Sequence, residues 1–478
     1  MISFPIPRPG TGKWFRNLLK KTLMVSAILG GIVSLEAAEP GFEEWRNTDG
    51  SATVRAKVIG VSDGFLVIER AEDGRRIEVH PERFHPVDRQ RMFELAARMG
   101  EEPAYPQGQA VNALLGFVLF PENGSLWEAS ARKMARDLGL RPESRDSRLM
   151  SFHSPAGDTR KVLGETCYQL RLFADHDQPA RFTLLFDNAA AAEHEGRPPL
   201  RTRPIHQRME AQLREALGPG IVRSLFRGGG FTEHGRRWDV GDTAIFLVHT
   251  DAYVAIRIMP VPVAENAGRP LRTTAAELRE WTRSNVEETE RGDRIIRNIP
   301  MTDQGPYGFC VPATFERYLR YMRIPADMHL IAMLAGASPI KGTSMHRLME
   351  SAGAYTRANQ RRLQPLRTEF FSHPFLRTLD EGRPIVWSMS STPAFNNAAA
   401  AYTQARGQEN KARMDSLLQE TSLEVDREYG HVLLITGYHP ETRELRISDS
   451  WGPAFEERWI PLSWAQAVSQ GSFYIIDY

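Results

Sequence analysis

Cys310 heads a segment in which Val311, Phe315, Tyr318, Leu319 and Met322 recur at helical spacing. Pro312 is compatible only with a helix's first turn, so the helix must begin at or beside the cysteine. A thiol at that position faces unpaired backbone N–H groups and the positive end of the helix dipole, which favours its thiolate form. The spacing predicts a central helix buried along one face, with Cys310 at its exposed tip. Six residues upstream, Gln304 opens Gln304-Gly305-Pro306-Tyr307-Gly308-Phe309-Cys310, whose glycines let the loop fold back closely.

Over a hundred residues later, Gly430-His431 heads an apolar strand running to Tyr438. His439 to Arg443 reads as a turn, Leu445 to Ser448 as the returning strand, and Asp449-Ser450-Trp451-Gly452 follows. Positions 431 and 449 have their midpoint at the edge of that turn, so an antiparallel hairpin sets His431 and Asp449 side by side within a residue or so of register. A carboxylate there orients the imidazole and supports its charged form. The Gln304 amide and the Cys310 N–H supply two donors for a developing oxyanion. Trp451 is read as core packing, Asp303 as a solvated turn residue, and the stretch from about Pro393 to Tyr429 as a helical insertion, either a lid or a solvated helix.

These residues, in this order, resemble the papain-like cysteine peptidases, most closely the bacteriocin-leader-processing type, peptidase family C thirty-nine. Gly342-Thr343-Ser344, Leu379-Asp380-Glu381-Gly382-Arg383-Pro384 and Gly437-Tyr438 carry the resemblance further. It implies a papain-like α+β domain with Cys310 as nucleophile, His431 as base, Asp449 as orienting carboxylate and Gln304 as oxyanion donor, acting on a peptide or protein. Val311 and Ser450 stand where the family usually has glycine and proline, which leaves the substrate open. The same thiol chemistry on a cell-wall amide or in acyl transfer is one alternative. A non-catalytic envelope adaptor with a degenerate peptidase-like domain is another.

At 478 residues the chain is too long for one core, and about three domains are expected. Arg8, Lys13, Arg16, Lys20 and Lys21 precede an apolar run from Thr22 to Leu35, so residues 1–38 read as a signal peptide and the protein as exported. No later segment approaches the roughly 20 apolar residues of a spanning helix. Residues 42–98 carry short β-runs broken by Asp49-Gly50, Asp63-Gly64 and Asp73-Gly74. They resemble the SLA-one homology domain, a small SH3-like barrel, which implies an interaction module with a protein partner. Residues 108–262 read as an α+β domain, with Ala113 to Phe120 as a candidate buried strand and a helix capped by Ser125. A linker helix follows at 263–292, started by Thr274 and Glu277, and the peptidase-like domain fills 293–478.

A net charge of +1 gives no basic face for nucleic acid. Two cysteines do not make a disulfide scaffold, and Cys167 reads as a buried structural thiol. No cysteine pair or His-Glu-x-x-His motif points to a metal, and no cofactor is implied.

Overall fold

The alternation broken by Asp-Gly turns becomes an antiparallel meander: β1 (Glu43–Arg46), β2 (Thr53–Ser62), β3 (Phe65–Arg70) and β4 (Arg76–Val79), paired in that order and followed by helix α1 (Pro86–Met99). The computed structural model describes residues 42–478 except 63–64, 100–106, 145–147, 156, 189–191, 194–195, 197–201, 227–231, 269–272, 307, 338–342 and 344. Residues 1–38, expected to be a signal peptide, and Tyr307 lie outside the described residues. Trp45, Ala56, Val58, Leu66, Ile68, Phe84 and Met92 form the small core of this N-terminal unit. The Asp88 carboxylate accepts from the backbone N–H, Nε and Nη2 of Arg46, which holds its pKa down at about 2. The expected closed barrel is not formed among the described residues, since β1 and β4 do not pair. The chain leaves β4 through Pro81, which has no N–H to donate, and its one β-bridge back beside β1 among the described residues is Asn47–Phe84.

Residues 103–478 form the second unit, built on two eight-stranded sheets. Its first helix, α2 (Gly108–Leu115), takes the first three residues of the stretch 113–120 expected to be a strand, and the rest is turn and irregular chain. Gly116 ends it at φ 74°, and Asn112 accepts from the N–H groups of Leu119 and Phe120 to hold the turn that follows. Ser125 caps only a short 3₁₀ turn, because Ser130 caps a separate helix, α3 (Ala131–Asp137). The first sheet is β5 (Arg141–Pro142), β6 (Leu149–His153), β7 (Gln169–Asp175), β8 (Gln178–Asn188), β9 (Ile221–Leu225), β10 (Glu233–Val240), β11 (Thr243–His249) and β12 (Tyr253–Pro260). All its pairs are antiparallel, in the order β9-β10-β11-β12-β8-β7-β6-β5, and helix α4 (Thr202–Leu217) packs on one face.

Helix α5 (Ala275–Ser284) begins in the capping box expected of Thr274 and Glu277. It stops at Asn285, and the chain enters the second sheet: β13 (Val286–Glu288), β14 (Arg294–Ile296), β15 (Arg362–Pro365), β16 (Ile385–Ser390), β17 (Gly430–His439), β18 (Glu444–Ser448), β19 (Arg458–Pro461) and β20 (Ser469–Asp477). The order is β13-β14-β17-β16-β20-β15, with β18 joining β17 to β19. Helix α6 (Cys310–Tyr321) lies against β17, and α7 (Met328–Leu334) packs on α6. Phe246 and Tyr253 of the first sheet, Phe315 and Tyr318 of α6, and Leu433 and Leu434 of β17 share one apolar cluster. Among the described residues, no helix is long and apolar enough to cross a membrane.

Candidate active site

Helix α6 starts at Cys310 itself, and its N-cap, Phe309, offers no side-chain acceptor to the first turn. The free N–H groups there are one reason a thiolate is favoured. Contrary to the one-face expectation, α6 is buried all round from Val311 to Leu319, including Glu316 and Arg317. Both find hydrogen-bond partners inside. Glu316 accepts from Arg171 at 2.9 Å, and Arg317 donates through Nε to Pro300 O at 2.8 Å and through Nη1 to Ser448 O at 3.2 Å.

The β17–β18 ladder pairs His439 with Glu444 and Leu434 with Ser448, with a bulge between Ile435 and Gly437. Its turn therefore spans residues 440–443, and extending the ladder one step sets Asp449 opposite Leu433. His431 and Asp449 are thus diagonal neighbours, two residues off the direct register expected, on the same face of the sheet. The side chains close the gap, with His431 Nε2 at 2.7 Å from Asp449 Oδ1.

His431 also hydrogen-bonds the Cys310 thiol. Burial alone would raise the thiol's pKa, but this bond, the imidazole's charge and the N–H groups of Val432 and Val311 bring it below the ordinary thiol value. For His431, burial works against the charged form, yet hydrogen bonds to Asp449 and Cys310 hold its pKa up at about 9. Asp449 is fully buried and still held below the usual carboxylate range, against that burial, by Arg458 and His431. Asp449 thus holds His431, and His431 in turn lowers the pKa of the Cys310 thiol.

Gln304 is buried, and its backbone N–H donates to Ser450 O at 2.8 Å, tying the loop before Cys310 to the residue after Asp449. Thr314 Oγ1 donates to Val432 O at 3.0 Å and joins α6 to the His431 strand. Asp303 is less solvated than expected: it is half-buried, its N–H donates to Glu143 at 2.9 Å, and its carboxylate accepts from the N–H of Gly305. Trp451 is not core packing but a half-buried ring stacked on His431, with centroids 4.5 Å apart. Cys167 is a buried free thiol whose pKa burial drives up to about 12.

The insertion is two helices, α8 (Pro393–Gly407) and α9 (Lys411–Glu420). Helix α8 is neither a lid nor a solvated helix, since Phe395, Ala398, Ala399, Tyr402 and Ala405 are buried and it packs on β19. Sequence reasoning missed Arg317, Asn396 and Arg458 as members of the site's surroundings. A hint existed only for Arg317, one of two cations amid the apolar residues of the cysteine's helix.

The structure thus places a helix-borne thiol, an imidazole and a carboxylate near one another. Residues 296–472 match the model of the Peptidase_C39 like family, a stretch that includes all three. Among solved structures, one match is xylellain, a cysteine protease from Xylella fastidiosa, 14% identical over 37% of this chain and 82% of that chain, with a TM-score of 0.20. No curated protein matches the chain.

Proposed function

We propose that this chain is an exported cysteine peptidase that hydrolyses peptide bonds through a covalent thioester. Cys310 is the nucleophile, His431 the general acid and base, Asp449 the orienting carboxylate and Gln304 an oxyanion donor. The observation that carries this reading is the 2.7 Å bond between His431 and Asp449 together with the pairing of that imidazole with the Cys310 thiol, which lowers the thiol's pKa and raises the imidazole's. The family match over residues 296–472 supports the same class.

In this mechanism the Cys310 thiolate attacks the scissile carbonyl carbon, and the carbonyl electron pair moves onto oxygen, facing the Cys310 N–H and the Gln304 amide. His431 gives its proton to the amine as the C–N bond breaks, leaving a thioester. It then takes a proton from water, whose oxygen attacks the thioester carbon and releases the acid and the thiolate. The basic residues ahead of the apolar run at 22–35 support export. Exposed Phe42 and Phe65 support a protein-binding role for the N-terminal unit.

The test is digestion of a peptide library and, in parallel, of purified cell wall by the protein and its Cys310→Ala variant, read by mass spectrometry. Peptide cleavage by the first and none by the second is expected. Release from cell wall alone assigns the chemistry to a wall amide. Turnover by neither protein, or by both equally, returns the domain to a binding role.

A further inference from the structure

Asp449 has no surface exposed to water, so what its second oxygen meets decides whether it stays ionised inside the protein. Oδ1 faces His431, and Oδ2 accepts from Arg458 Nη2. Arg458 opens β19 opposite Ile447 of β18, and its side chain is 3% exposed. Its other terminal nitrogen, Nη1, donates to Asn396 Oδ1 at 2.9 Å. Asn396 is fixed in turn, because its Nδ2 donates to Ser391 Oγ at 3.1 Å and to Thr392 O at 3.2 Å, at the start of α8. The rings of Phe455 and Phe395 flank the guanidinium at 5.2 and 5.9 Å. The insertion ahead of His431 thus reaches the carboxylate behind His431 through two side chains.

We propose that Arg458 is a positioning residue of the site, holding the Asp449 carboxylate in the orientation His431 needs, and that Asn396 on α8 locks Arg458 in place. This rests on the peptidase-type reading of the site and deepens it. A guanidinium presents its donors in a rigid fork, so holding Asn396 with one nitrogen fixes where the other points. Without it, Asp449 would be a buried carboxylate with one partner and would take up a proton more readily. A protonated Asp449 no longer supports the imidazolium, and the thiolate fraction falls with it.

The charged groups that act on Asp449 are His431 from β17, Arg458 from β19 and Arg317 from α6, while Glu456 in the intervening loop acts on Arg317. Losing Arg458 removes the largest influence favouring the ionised carboxylate. The acid side of the thiol's reactivity must therefore move to higher pH.

The experiment is the rate of Cys310 alkylation by iodoacetamide across pH on the full chain, with Cys167 as the slow internal reference. Arg458→Met should shift the acid limb upward by about one pH unit, a roughly tenfold slower reaction on that limb. Arg458→Lys should recover part of the shift. Asn396→Ala should give a smaller shift of the same sign and add nothing in the Arg458→Met background, the signature of two residues acting in one chain. An acid limb that stays in place in folded Arg458→Met overturns the proposal. Where that variant does not fold, an unmoved limb in both Asn396→Ala and Arg458→Lys overturns it equally. Slow wild-type labelling that is indifferent to His431→Ala removes the peptidase-type reading itself, and this inference with it. Rapid, His431-dependent labelling with unmoved limbs removes this inference alone.

Discussion

The chemistry at residue scale is set by which groups share protons with His431. Its pKa of about 9 and the lowered pKa of Cys310 define a pH range in which thiolate and imidazolium coexist. Reactivity should rise as pH climbs through the thiol's value, because thiolate forms, and fall near pH 9, because the imidazolium loses the proton it must give the leaving amine. A bell-shaped pH profile of kcat/KM on a cleaved peptide, with its basic limb close to that value, checks this. Asp449→Asn removes the carboxylate charge that helps hold the imidazole's pKa up, so the basic limb should move toward neutrality. A basic limb that does not move would exclude Asp449 as the orienting group. Trp451 belongs at this scale too. Its ring covers one face of the imidazole, and Trp451→Ala should admit water, weaken the His431–Asp449 bond and slow alkylation about tenfold, as for a loss of about one pH unit of thiolate support. The residue types of the proposed triad were legible because a thiol before a helix and a histidine heading a strand are local patterns. Trp451's stacking was not legible, since any tryptophan after a strand reads equally well as core.

Elements bring these residues together, and the pairing of α6 with the β17–β18 hairpin matters most. Arg317 fastens them: its donors reach Pro300 O, Ser448 O, Ser448 Oγ and Ser450 Oγ, so the cysteine's helix grips the strand end from which Asp449 emerges. Burial lowers the pKa of this guanidinium to about 10, still well above neutral, so it remains a cation. Arg317→Met should cost about 1–3 kcal/mol through the acceptors it leaves unsatisfied, read as a lower midpoint in urea. Gly437 exposes the other side of the same strand. A Cβ there would lie 2.5 Å from Arg294 O, backbone that cannot turn aside, so Gly437→Ala should push β14 away and cost about 1–3 kcal/mol. The hairpin was legible from the turn residues and the apolar run, but its register was not. A four-residue turn and a bulge at Thr436 shift the pairing by two residues, and neither leaves a mark that periodicity detects. Likewise α6 reads as amphipathic because Glu316, Arg317 and Arg320 interrupt its apolar residues. Only partners distant in sequence explain how the first two are buried: Arg171 on β7 for Glu316, and Pro300 and Ser448 for Arg317.

At the scale of the whole molecule, the first sheet reaches the cysteine's helix through buried ion pairs. Arg171 on β7 bridges Glu143 at 3.0 Å and Glu316 at 2.9 Å, with all three side chains almost fully buried. Glu143 also accepts from the N–H of Asp303, the residue before Gln304, and Glu316 from the N–H of Met328 at the start of α7. A second buried set repeats the pattern: Arg257 on β12 bridges Glu233 and Asp327, which caps α7. The first sheet therefore serves the candidate site as a scaffold, clamping the cysteine's helix and the Gln304 loop from behind. Removing one partner from such a set leaves charges buried and unpaired, so Arg171→Met should cost about 3–5 kcal/mol. Burial acts against the charged form of Glu143, yet Arg171 prevails and its pKa sits at about 2. A folded value below the unfolded one means stability that is complete above the unfolded carboxylate's pKa and is lost as pH falls through the folded one. Thermal melts of residues 103–478 within the full chain should therefore drop steeply between about pH 4 and about pH 2. In Glu143→Gln this part of the pH dependence should disappear, because the proton it reports has no group to bind. Cys310 alkylation measured beside the melts adds the link to function: if the first sheet is a scaffold for the site, Arg171→Met slows alkylation at temperatures where the chain is still folded. An unchanged rate would confine the network to stability.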